Sequence, residues 1–116
     1  MIPKITLVLA LFALLSGCYY DKAELLYPET IDCSTLNARF STQIAPLIET
    51  RCAIPGCHDA SSGNKGGPFT NYTQIHAKAS TIKAQVQSGA MPEGSSLTAA
   101  EIQMITCWVN SGAPNN

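Results

Sequence analysis

Within seven residues this chain places two thiols and an imidazole, in the segment Arg51-Cys52-Ala53-Ile54-Pro55-Gly56-Cys57-His58. The order thiol, thiol, histidine, with the last two adjacent, is the order that covalent haem attachment needs. Two sulfurs can form thioether bonds to the porphyrin vinyl groups, and the imidazole can ligate the iron from one face. No other feature constrains the fold as strongly. A chain that carries a haem here must wrap a large apolar disc, and burying that disc can supply much of a small domain's stability. The usual spacing is C-x-x-C-H, whereas here it is C-x₄-C-H, two residues longer. Pro55-Gly56 suits a loop that carries the extra length, because Pro fixes φ and Gly accepts conformations closed to other residues.

The chain opens with a different signal. Lys4 precedes an apolar run from Ile5 through Leu15 that is too short to span a bilayer and ends in small residues, as a secretory signal does. Leu15-Ser16-Gly17-Cys18 resembles the bacterial lipobox, which implies lipidation of Cys18 as the mature N-terminus. An ordinary signal peptide with an incidental Cys, or a membrane anchor, is the plainer reading of the same residues. The expected organisation is a signal peptide over 1–17, a tether over 18–36 and one small domain over 37–116. The expected location is the bacterial cell envelope, lipid-anchored, facing the periplasm or the outer membrane. Seven Lys and Arg stand against eight Asp and Glu, with no basic stripe or charge block. That balance argues against nucleic acid as a partner.

The domain pattern is helical throughout, with no strand alternation. Ser41 and Thr42 are candidate N-caps for a first helix whose apolar face runs through Ile44, Leu47 and Ile48. It ends as Cys52 enters the Pro55-Gly56 turn. Residues 60–68 are loop. One helix or two short ones are expected over 72–88, with Ile75, Ala79, Ile82 and Val86 as the apolar stripe and Gly89 as the C-terminal cap. Gly89-Ala90-Met91-Pro92-Glu93-Gly94 has turn chemistry. Thr98-Ala99-Ala100-Glu101 fits a capping box opening a last helix, with Ile102, Ile105 and Val109 on its apolar face and Gly112 and Pro114 at its end.

These features in order resemble a small class I c-type cytochrome, from about Phe40 to Ala113. A helix leads into Cys52…Cys57-His58, Gly67-Pro68 follows, Gly89-Ala90-Met91-Pro92 comes later, and a closing helix contains Trp108. The resemblance implies an all-α fold of three to four helices around one covalently attached haem c. It implies His58 as the proximal ligand, with the carbonyl of Pro68 accepting from its other ring nitrogen. It implies Met91 as the distal ligand, a soft thioether that raises the reduction potential. His76, the other imidazole, is expected on a solvated helix face. Phe69, Tyr72 and Trp108 are expected in the haem pocket or core, and Met104 in the core.

With Cys18 given to lipid and Cys52 and Cys57 to haem, Cys33 and Cys107 remain, and an oxidising compartment would let them pair. Four non-lipid Cys still allow three connectivities. Free buried thiols or intermolecular pairing are the alternatives. The function implied is a membrane-tethered carrier of single electrons between redox partner proteins, and not an enzyme, since no catalytic acid–base pair is recognisable. Three other readings compete. Cys52, Cys57, His58 and His76 offer ligand types for zinc. A Cys52–Cys57 disulfide would make a stapled structural lipoprotein. A haem with Met91 off the iron would make a sensor or a peroxidase-like protein.

Overall fold

The computed structural model describes residues 31–63 and 66–116. The signal segment, Cys18 and the tether up to residue 30 lie outside the described residues. Among the described residues the fold is all-α, with no strand, and no helix is long and apolar enough to cross a membrane.

The first helix opens on a wide π-helical turn, Phe40–Ile44, and continues as α1, Ala45–Arg51. Pro46 falls in the first turn of α1, where its missing N–H is tolerated. Neither Ser41 nor Thr42 caps this helix, contrary to the sequence expectation. The Phe40 and Ser41 N–H groups instead donate to Asn116, at 2.8 Å to its side-chain oxygen and 2.9 Å to its main-chain oxygen. The Gln43 side chain accepts from the Arg39 N–H. The orphan donors of the helix start are thus satisfied from the far end of the chain.

The middle region forms two helices, α2 (Tyr72–Ala77) and α3 (Ala79–Gln87), broken at Lys78. Asn71 caps α2 by accepting from the Gln74 N–H. Ile75, Ala79, Ile82 and Val86 are all buried, as their spacing requires. Gly89 ends α3, its N–H donating to the Val86 carbonyl. Thr98 and Glu101 form both arms of the capping box that starts α4, Ala99–Asn110.

Helix α4 packs against α3 and against the opening turn of the first helix. Between them lies an aromatic core in which Phe40 meets Tyr72 edge-on at 4.9 Å and Trp108 at 5.8 Å. Trp108, Ile44, Ile48 and Ile105 are the largest fully buried side chains. The tail after α4 is held by the same aromatics: Tyr72 Oη donates to the Ala113 carbonyl and Trp108 Nε1 to the Pro114 carbonyl. Cys33 is joined to Cys107 by a disulfide, so the start of the described chain is bonded to α4.

Candidate functional site

The segment after α1 answers how the longer thiol spacing is accommodated. The Cys57 N–H donates to the Ile54 carbonyl, so residues 54–57 form a tight turn with Pro55 and Gly56 at its centre. Gly56 has φ +82°, the positive value that a turn with Pro first and Gly second demands. The His58 N–H then donates to the Cys52 carbonyl at 2.9 Å, which closes the loop on itself. The extra residues leave as an exposed turn while Cys52, Cys57 and His58 stay half-buried.

A cleft of ≈ 530 Å³ lies against this loop. Such a volume is within the roughly 300–1,000 Å³ range of cofactor sites. The motif loop contributes Cys52, Ile54, Cys57 and His58, and the next segment Gly66 and Phe69. Helix α3 contributes Ile82 and Val86, and the loop beyond it Met91 and Pro92. Arg51, Lys78, Thr81, Gln85, Glu93 and Ser95 supply the polar part of the lining. Met91 is 37 % exposed, and its N–H donates to the Gln85 carbonyl at the end of α3. The two thiols, the imidazole and the thioether singled out from the sequence therefore line one cavity.

His58 is held closely. Its Nδ1 lies 3.0 Å from the Gly67 carbonyl oxygen. A carbonyl only accepts, so Nδ1 carries a proton, and in the neutral ring Nε2 is then the nitrogen with the lone pair. The acceptor is the residue before Pro68, not Pro68 itself. Pro68 is exposed and follows the Gly67 carbonyl directly. The Phe69 ring stacks on the imidazole with centroids 4.3 Å apart, and the Phe69 N–H donates to the His58 carbonyl. Neither Gly66 nor this stacking was readable from spacing, although Phe69 was named as a pocket or core aromatic. Tyr72 and Trp108, named with it, are core residues away from the cleft.

Electrostatics separate the cleft's thiol from its rim. Burial, then the neighbouring Cys57, pushes the Cys52 thiol up to about 11. At the rim Arg51 makes a two-pronged ion pair with Glu101, at 3.2 and 3.1 Å. Burial raises the Glu101 carboxyl, but Arg51 and the two Thr98 hydrogen bonds outweigh it and hold the group below its usual range.

The donor set fits a covalently held haem. It has two thiols, an imidazole whose Nδ1 is engaged by a carbonyl, a soft thioether and apolar walls. It fits zinc less well. His76 is exposed on α2 beside Tyr72 and is not part of the cleft lining. Among the described residues no three His, Cys, Asp or Glu side chains form a group suited to a metal ion. Cys52 and Cys57 are both present as thiols, and the disulfide among the described residues joins Cys33 to Cys107. Met104 is partly buried against the core. No family model, curated protein or solved structure matches this chain.

Proposed function

We propose that this protein is a membrane-tethered, extracytoplasmic carrier of single electrons, built as a monohaem c-type cytochrome. The observation that carries the reading is the convergence of Cys52, Cys57, His58 and Met91 on one largely apolar cleft. Haem, when bound, supplies the one-electron iron chemistry. The chain supplies everything else. Cys52 and Cys57 would each add across a vinyl group, sulfur to one carbon and the thiol hydrogen to the other, with no net redox change. His58, its Nδ1 engaged by Gly67, would hold the iron through Nε2. Met91 offers a sulfur from the opposite loop, and its neutral thioether favours the ferrous state. Phe69, Ile82 and Val86 keep water from the cleft walls. The exposed turn at Ile54 and the exposed Met91 leave an edge through which a redox partner protein can exchange electrons.

The test is direct. The mature chain is expressed with a cytochrome maturation system, and its denatured mass and visible spectrum are recorded. A covalent gain of one haem and c-type absorption bands are expected. Neither would appear if the cleft were only a structural feature of a lipoprotein. In the loaded protein, Met91→Ala is expected to abolish the weak charge-transfer band of sulfur-bound ferric iron. A wild-type protein lacking that band would assign Met91 away from the iron and favour an open distal site.

A further inference from the structure

We propose that Gly66 and Phe69 are positioning residues for His58, holding its ring so that Nε2 is the nitrogen offered to the cleft. The iron-ligand part of this inference rests on the haem reading above; the fixed ring orientation does not.

Three contacts converge on one imidazole. Phe69 stacks at 4.3 Å with the planes 22° apart. The Gly67 carbonyl engages Nδ1 at 3.0 Å. Gly66 approaches so closely that a Cβ there would stand 2.7 Å from Cε1, 3.3 Å from Nδ1 and 3.8 Å from Nε2. A side chain's far end usually yields to such a clash, but this one has little room to retreat. Moving away would break the stack with Phe69 or the bond to Gly67. The main chain cannot follow, because the His58 N–H is tied to Cys52 and the His58 carbonyl to Phe69. Three residues of one short segment therefore divide the task. Gly66 gives space, Gly67 gives the acceptor, and Phe69, one residue beyond Pro68, gives the stacking face.

The consequence is chemical. In water a neutral histidine side chain favours the proton on Nε2, where it blocks that nitrogen as a ligand. The clamp selects the opposite tautomer, and it does so without the haem. Preorganisation of this kind removes the cost of orienting the ligand when the cofactor arrives.

The experiment uses ¹⁵N-labelled full chain without haem, at about pH 8, where an imidazole is neutral. Ring-nitrogen NMR is expected to show His58 as a single tautomer protonated at Nδ1, with exposed His76 as the internal reference of ordinary preference. Gly66→Ala and Phe69→Leu are expected to lose that selectivity while keeping the helical circular dichroism. Phe69→Tyr, which preserves the stack, is expected to retain it. A mixed tautomer in the wild type would overturn the proposal. So would an unchanged Nδ1–H form in Gly66→Ala, or identical behaviour of the Leu and Tyr variants. Loss of the helical signal in Gly66→Ala would assign that glycine to folding and remove it from the proposal. In the loaded protein the same two variants are expected to shift the midpoint potential, with Phe69→Tyr close to wild type. A chain that takes up no haem would sink the cytochrome reading yet leave the tautomer result standing.

Discussion

At the scale of single residues, Cys52 carries a pH signature that depends on its chemical state. Burial and Cys57 raise its thiol from 9.0 to about 11 in the folded chain. A raised folded value favours the neutral thiol, so its contribution to stability is complete below pH 9. It is lost as the pH climbs through 11. The denaturant midpoint of the haem-free chain is therefore expected to fall between pH 9 and pH 11 by more than that of Cys52→Ala. Once the sulfur is a thioether it no longer titrates, and the difference between loaded and haem-free chains should widen over the same interval. Equal slopes for wild type and Cys52→Ala would contradict this. The candidate ligands that line the cleft were legible in the sequence, because thiols, imidazoles and thioethers announce their chemistry by type and order. The residues that aim them were not. Gly66 acts through a missing atom and Gly67 through a main-chain oxygen, and neither contribution is encoded in a side chain.

At the scale of elements, α4 is the helix whose start was most legible, because its code is local. Thr98 and Glu101 satisfy each other's backbone donors three residues apart. Thr98→Ala should cost about 1 kcal/mol, measured by urea unfolding at neutral pH. Glu101 serves twice, since the same carboxylate also accepts from Arg51 beside the cleft. Its lowered value makes this contribution present above its ordinary titration near 4.5 and lost as the pH falls below it. The Thr98→Ala penalty should accordingly shrink in acid; a penalty unchanged at pH 3 would rule out the shared carboxylate. The first helix was misread at its start for the opposite reason. Ser41 and Thr42 are good caps by local rule, but Asn116 fills that place from 76 residues beyond Phe40. Periodicity located the apolar stripe of α2 and α3 correctly because that stripe needs only a buried face. Whether the break at Lys78 occurs was beyond it.

At the scale of the whole molecule, the Cys33–Cys107 bridge closes a loop of sequence separation 74. In the chain-entropy view such a loop is worth roughly 4 kcal/mol. A Cys33→Ser/Cys107→Ser variant should lose about that much stability in guanidinium unfolding, with the cleft's thiols intact; a loss under about 1 kcal/mol would show that native packing already fixes this segment. The bridge fastens the segment at Cys33 to α4, a helix that meets the cleft only through the Glu101 ion pair with Arg51. The contact between Phe40, Ser41 and Asn116 has a temporal corollary. A chain made from its N-terminus cannot complete the start of the first helix until residue 116 has emerged. Until then Cys52 and Cys57, which follow that helix, belong to an open polypeptide, and the contact with Asn116 is what latches the opening turn shut.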